Sequence, residues 1–204
     1  MKKKALILVD IQNDFVKNGS LAVLGGEEII PVVNLMLENH HNDYSLILET
    51  QDWHPKNHIA FASQHRGKKP GDVILLSGKP QILWPDHCIQ NSVGAQIVPS
   101  LSQNKIQKII QKGMNPRIDS YSAFFDNDHT SQTELHEFLK LNQIKELHMV
   151  GLAFDFCVKF TALDAVQLGY DVHVFTQACR GVYLAAGDQK KTQDEMIEAG
   201  IKLI

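Results

Sequence analysis

Residues 146–169 read ELHMVGLAFDFCVKFTALDAVQLG, and the order of residue types along them decides the fold. Residues 147–152 form an apolar, strand-like segment. A short turn follows, and a second apolar segment opens at Phe156 and Cys157. In that segment Phe160, Ala162, Leu163 and Val166 cover too much of a helix circumference for a surface helix, so the helix is expected to be buried. A strand running through a tight turn into a helix places Cys157 at the helix start. Unpaired backbone N–H groups and the positive end of the helix dipole favour a thiolate there, and can draw a thiol pKa from about 8.5 into the range of about 3.5 to 7.5. Cys157 is the leading nucleophile candidate. A cysteine taken alone is more often a small buried hydrophobe, so partners elsewhere must decide its role.

The same strand and helix alternation extends in both directions. Residues 4–10, KALILVD, are an apolar run closed by a carboxylate, the pattern of a strand buried on both faces of a parallel sheet, with Asp10 at its C-terminal end. Residues 27–40 place acids first and Ile30, Val33 and Leu37 on one face, as a helix requires. Residues 44–50 read as a second strand leading to Asp52, and residues 106–112 as a third ending at Lys112. Ser131 and Glu134 form a capping-box pattern before a helix with Leu135, Phe138 and Leu139 inside. A strand at 171–176, a polar helix at 189–199 and a short strand at 201–204 complete the series. Between Asp52 and Pro99 the periodicity fails. A loop-rich stretch this long inside a compact domain is usually functional.

Alternating strands and helices of this length imply right-handed β-α-β units: a three-layer α/β/α sandwich with a mostly parallel central sheet, in one domain spanning residues 1–204. In such sheets ligands bind beyond the carboxyl ends of the strands. Asp10, Asp52 with His54, Lys112 and the turn before Cys157 all fall at such ends and should meet on one rim.

Composition narrows the partners. The chain of 204 residues has a net charge of −3, 44% hydrophobic and 21% charged residues, with no basic stripe for nucleic acid or an anionic membrane. The opening MKKKALILVD imitates a signal peptide, but its apolar run is too short, and no segment approaches a membrane span. Three separated cysteines, Cys88, Cys157 and Cys179, make no disulfide framework. The expectation is a cytoplasmic protein acting on a small molecule, with neither nucleic acid nor membrane as partner. A homo-oligomer is left open.

Asp10, Lys112 and Cys157 supply an acid, a cation and a thiol, a set suited to acyl transfer without a catalytic histidine. Asp52 and His54, two apart in extended chain, point to one side as two ligands of one ion must, and His87 in the turn of residues 84–88 offers a third. Oxygen and imidazole donors suit zinc, Fe(II) or Mn(II), leaving positions for water or substrate. His58 is a candidate fourth or water-bridged ligand. Cys88, beside His87, ranks second as a thiol, Cys179 reads as structural, and His148 and His173 read as ordinary surface or core residues. Phosphate-loop, dinucleotide and serine-hydrolase signatures are absent.

Five motifs carry a resemblance: Leu8-Val-Asp10-Ile-Gln-Asn-Asp14-Phe15, Asp52-Trp-His54-Pro-Lys-Asn-His58, Trp84-Pro-Asp-His87-Cys88, Lys112-Gly113 followed by Asp119-Ser-Tyr121-Ser-Ala-Phe-Phe, and Gly151-Leu-Ala-Phe-Asp-Phe-Cys157-Val. In this order, over almost the whole chain, they resemble the nicotinamidase branch of the isochorismatase-like cysteine hydrolases. The resemblance implies a triad of Asp10, Lys112 and Cys157, and one divalent metal ion held by Asp52, His54 and His87, with zinc first and iron or manganese as alternatives. It further implies a cis peptide before Ala153, an oxyanion hole from the N–H groups of Ala153 and Cys157, and a ring pocket of Phe15, Trp84 and Tyr121. The implied reaction is nicotinamide to nicotinate and ammonia through a thioester, in NAD salvage, with pyrazinamide as a second substrate. Phe154 and Phe156 replace a threonine and a tyrosine common in the family, and a drier pocket wall is expected from both. The competing readings are a related cysteine hydrolase acting on a carbamoyl or ureido substrate, and a catalytically silent scaffold of the same fold.

Overall fold

The computed structural model describes residues 3–76 and 78–204, so the basic opening residues considered above lie partly outside the described residues. β1 (Lys4–Val9) is the central strand, and Ala5, Leu6, Ile7, Leu8 and Val9 are all fully buried. Around it a six-stranded sheet has the order β5-β2-β1-β6-β7-β8, with β2 Leu46–Asp52, β5 Lys108–Lys112, β6 Glu146–Leu152, β7 Asp171–Arg180 and β8 Lys202–Leu203. Every pairing in this sheet is parallel. A parallel neighbour requires a crossover; α-helices supply it except between β2 and β5, which the loop-rich stretch joins.

Side-chain alternation divides the core into two layers. Ala5, Ile7 and Val9, with Leu48, Leu147 and Met149, face one cluster that also takes in α2 (Leu135–Leu141), α3 (Lys159–Gln167) and α4 (Asp188–Glu198). Leu6 and Leu8, with Ile47 and Val150, face α1 (Ile29–His40) through Ile29, Ile30, Val33 and Leu37. The three-layer arrangement expected from the sequence is present, and the sheet is wholly parallel.

Two local expectations need correction. The capping box is not formed by Ser131 and Glu134; the hydroxyl of Thr133 accepts the Leu135 N–H at 3.1 Å, because the chain turns into α2 two residues later than the pattern suggests. The loop-rich stretch also contains a hairpin of β3 (Val73–Leu76) and β4 (Lys79–Ile82), antiparallel and outside the main sheet. No helix among the described residues is long and apolar enough to cross a membrane.

The strand order reverses between β1 and β6. In an open parallel sheet the crevice lies at such a point, beyond the carboxyl ends. Asp10 follows β1 and Cys157 follows β6, so these two side chains border it.

Candidate active site

Asp10 leaves β1 with a positive φ of 49°. Thr50, on the neighbouring β2, holds this conformation from both sides: its hydroxyl donates to Asp10 Oδ1 at 2.5 Å and accepts the Asp10 N–H at 3.1 Å. The other carboxylate oxygen faces Lys112, whose Nζ stands 3.0 Å away. Lys112 ends β5, is 1% exposed, and also reaches Asp52 Oδ1 at 2.5 Å, the Ser120 carbonyl at 3.1 Å and Cys157 Sγ at 3.5 Å. An ammonium so deeply buried is stable only among anions, and here two carboxylates surround it. Burial opposes its charge, but Asp10 and Asp52 outweigh this and hold its pKa well above the ordinary lysine value.

Cys157 sits in a single π-helical turn, Phe154–Val158, that leads into α3. Within the turn the Phe156 and Val158 N–H groups both bond to the Ala153 carbonyl, at 3.1 Å each. The Leu152–Ala153 peptide is cis. The expected lowering of the thiol pKa is not met. Burial pushes Cys157 well above the ordinary cysteine value, with Lys112 pulling the other way and Asp10 and Asp52 adding to the rise. Desolvation of a thiolate here exceeds what a helix start and Lys112 return, which favours the thiol form. Burial raises the Asp10 pKa as well, against the pull of Lys112.

Asp52 links these three residues to a candidate ligand set. Its Oδ1 is bound to Lys112, while its Oδ2 lies 3.5 Å from His54 Nε2 and 3.9 Å from His87 Nε2. Burial pushes its carboxyl up, yet Lys112 and His54 together hold it well below the usual range. His54 Nδ1 meets the Gly113 carbonyl at 2.9 Å, and His87 Nδ1 meets the Pro85 carbonyl at 2.8 Å. A carbonyl only accepts, so each Nδ1 carries a proton and Nε2, on the Asp52 side, is the nitrogen left to offer a lone pair to an ion. This is the arrangement in which imidazoles ligate metals, their far nitrogen tied to a backbone oxygen. One ligand atom from each of the three residues lies within 4.8 Å of the others, so the donor set fits one divalent ion.

His58 is placed differently. Its Nε2 donates to the Ile118 carbonyl at 3.1 Å and its Nδ1 accepts the Ala60 N–H at 3.4 Å, so both nitrogens are occupied and it packs on His54 at 4.3 Å between ring centroids. Burial and the neighbouring His54 hold its pKa down to about 4.

The loop-rich stretch reaches the rim through two short β-bridges. His54 pairs with Ile89, which sets His87 beside it, and Phe61 pairs with Trp84. Asp14 ties the arrangement by accepting the Cys88 N–H at 2.7 Å and the Ser20 N–H at 3.2 Å. The narrow cavity that results is lined by Phe15, Trp84, Tyr121, Phe156, Ala153 and Cys157 beside His54 and His87. Phe156 stands edge-on to Trp84 at 5.0 Å and to Tyr121 at 5.3 Å. Phe154 is turned into the core with α3 and does not face the cavity, so only one of the two phenylalanine replacements dries its wall. Cys88 belongs to the core cluster on the α1 side and Cys179 to the opposite one, and neither lines the cavity.

Motif reading missed Thr50 and Gln81, and gave no role to Gln12 although it lies within the first motif. Gln12 pairs with both backbone groups of Asp52, at 2.8 and 2.9 Å, and Gln81 donates to Asp119 at 2.7 Å and Tyr121 at 3.4 Å. Each acts across strands or loops, where local spacing carries no signal.

The comparisons agree with this geometry. An isochorismatase domain model matches residues 4–199. The chain is 48% identical over 203 residues to the nicotinamidase of Escherichia coli (strain K12), covering 100% of this chain and 95% of that one. Among solved structures, Acinetobacter baumanii nicotinamidase pyrazinamidease gives a TM-score of 0.94 at 42% identity, covering 100% of this chain and 96% of that one. Pyrazinamidase of Pyrococcus horikoshii in complex with zinc gives 0.79 at 35% identity, covering 99% and 98%. With sequence and fold alike over nearly their full lengths, the chain belongs to the isochorismatase family, in its nicotinamidase branch.

Proposed function

We propose that the chain, acting as one domain, hydrolyses nicotinamide to nicotinate and ammonia through a thioester on Cys157, returning the pyridine ring to NAD synthesis. The observation that carries this reading is Lys112, one buried ammonium within reach of Asp10, Asp52 and Cys157, the last two of which line an aromatic cavity.

Phe15, Trp84, Tyr121 and Phe156 hold the flat ring and exclude water. Asp10 takes the Cys157 proton as sulfur attacks the carboxamide carbon. The oxyanion lies against the N–H groups of Ala153 and Cys157, each such donor contributing about 2.7 to 4 kcal/mol in comparable holes. The tetrahedral adduct collapses by breaking the C–N bond, and Asp10 returns the proton to the departing ammonia. Asp10 then takes a proton from water attacking the thioester, nicotinate leaves, and sulfur recovers its proton. Lys112 keeps the two acids in place throughout and offsets negative charge on sulfur.

Asp52, His54 and His87 would hold one divalent ion, for which zinc fits the donors and is bound in the Pyrococcus horikoshii relative. When bound, it supplies a Lewis-acidic anchor for the ring nitrogen. A carbamoyl or ureido substrate has no such nitrogen to anchor, which disfavours the alternative. Pyrazinamide keeps both ring nitrogen and carboxamide and is expected as a second substrate. We place the reaction in the cytoplasm, in keeping with three free thiols.

Ammonia release from nicotinamide tests the reading. Purified protein should release it, Cys157→Ala should not while still binding metal, and His54→Ala should lose metal and activity together. Turnover retained in Cys157→Ala, or none by the metal-loaded reduced protein, would overturn it.

A further inference from the structure

The end of the sheet opposite Cys157 carries a second set of ligand-type side chains. β6 opens with Glu146-Leu-His148 and β7 with Asp171-Val-His173, and the strands pair with Glu146 opposite Asp171 and His148 opposite His173. Residues two apart on a strand share a face, so all four belong to the face that α1 covers. The acid-x-His spacing is that of Asp52 and His54, here repeated on two adjacent strands.

His148 Nε2 lies 2.8 Å from Glu146 Oε1, and the His148 and His173 rings are 4.9 Å apart at an interplanar angle of 32°. One ligand atom from each of Glu146, His148 and His173 falls within 4.8 Å of the other two. His148 Nδ1 meets the Tyr44 hydroxyl at 3.0 Å, the kind of outer partner that orients a ligating imidazole. His148 is 7% exposed, whereas Glu146 and His173 are half-buried and reachable from solvent.

We propose that Glu146, His148 and His173 form a second divalent transition-metal site, separate from Asp52, His54 and His87, with Asp171 as a further oxygen donor at its rim. Two imidazoles and a carboxylate select zinc-class ions over magnesium or calcium. Binding places the ion between His148 Nε2 and Glu146 Oε1 in place of their hydrogen bond, and the imidazole keeps its one proton on Nδ1, directed at the Tyr44 oxygen.

Two lysines oppose the ion. Lys202 Nζ stands 2.9 Å from Asp171 Oδ1 and 3.3 Å from His173 Nε2, a built-in cation on the same donors. Lys4 lies over the Tyr44 ring at 5.3 Å from its centroid. The second site is therefore weaker than the first, and Lys202, on the short edge strand β8, sets its affinity.

The test is a zinc titration of chelator-stripped full-length protein against a chromophoric competitor, with bound metal counted after gel filtration. His173→Ala and Glu146→Gln, both at half-buried positions, should each bind one equivalent fewer than wild type and release ammonia at the wild-type rate. Lys202→Ala should fill the second site at lower zinc, by about tenfold for the loss of one adjacent cation. Equal stoichiometry in wild type and the two ligand variants would overturn the proposal, as would a Lys202→Ala curve that coincides with wild type.

Discussion

Lys112 is held by two carboxylates that would repel one another without it. Replacing it with methionine keeps the volume and removes the charge, leaving Asp10 and Asp52 buried face to face. Breaking a buried ion pair from one side costs about 3 to 5 kcal/mol. Lys112→Met should therefore melt well below wild type as well as lose ammonia release, and a thermal unfolding curve beside the assay separates the two losses. Thr50 acts through Asp10 rather than on substrate. Thr50→Val removes a hydrogen bond to a charged group, about 1.5 to 3 kcal/mol, so kcat should fall by roughly 10- to 100-fold with KM little changed. Thr50→Ser restores the hydroxyl and should recover most of kcat. If serine does no better than valine, the hydroxyl is not what positions Asp10.

Among the elements, the turn after β5 is the most exacting. Gly113 has φ +66°, and a Cβ there would stand 2.4 Å from His54 Cε1. Gly113→Ala faces a strained backbone, about 1 to 3 kcal/mol, and displaces the imidazole that the Gly113 carbonyl orients. Metal content by elemental analysis should drop together with activity, although no ligand has been changed. In β1 the cost is one of packing. Leu8→Ala opens a void beneath α1 and should lower stability by about 2 to 5 kcal/mol in a denaturant titration, leaving KM near wild type. What the sequence disclosed at this scale follows from the same packing. A strand buried on both faces must be a continuous apolar run, so Asp10 stood out where β1 stops, whereas Asp52 and Lys112 end strands that are already polar before them and were placed by their strand ends alone. The hairpin of β3 and β4, the bridge from His54 to Ile89 and the Thr133 cap lie in chain with no periodicity. Their partners are fixed by tertiary contact, and local spacing holds no trace of them. The cysteine expectation failed for a related reason: a helix start is visible in sequence, whereas the depth at which it is buried is not.

For the whole molecule, burial also sets the response to pH. Glu49 is fully buried beside the triad. Desolvation raises its carboxyl well above the ordinary value, only partly offset by the Ile11 N–H bonded to it at 3.0 Å. A raised folded pKa means that the folded chain keeps a proton the unfolded chain has lost. The stability Glu49 contributes is then full below its ordinary value near 4.5 and declines as pH rises toward the folded value. Glu49→Gln cannot ionise, so melting temperatures measured from pH 5 to pH 8 should fall less for this variant than for wild type. Parallel curves would show that Glu49 does not carry the proton.

His54, Lys112 and Cys157 are 1%, 1% and 6% exposed, so the reacting groups lie below the molecular surface with Leu21 and Val182 among the side chains bordering the cavity. A pyridine ring reaches them only through a narrow opening. The interior thus acts as a size filter on reagents as well as on substrates. A small dialkyl disulfide should convert Cys157 to a mixed disulfide, expelling its thiolate, far faster than a bulky aromatic one of equal intrinsic reactivity, and bound nicotinate should slow both. Turnover then carries the friction of the surrounding solvent, and added viscogen should slow kcat in proportion to how far release of product, rather than chemistry on sulfur, sets the pace.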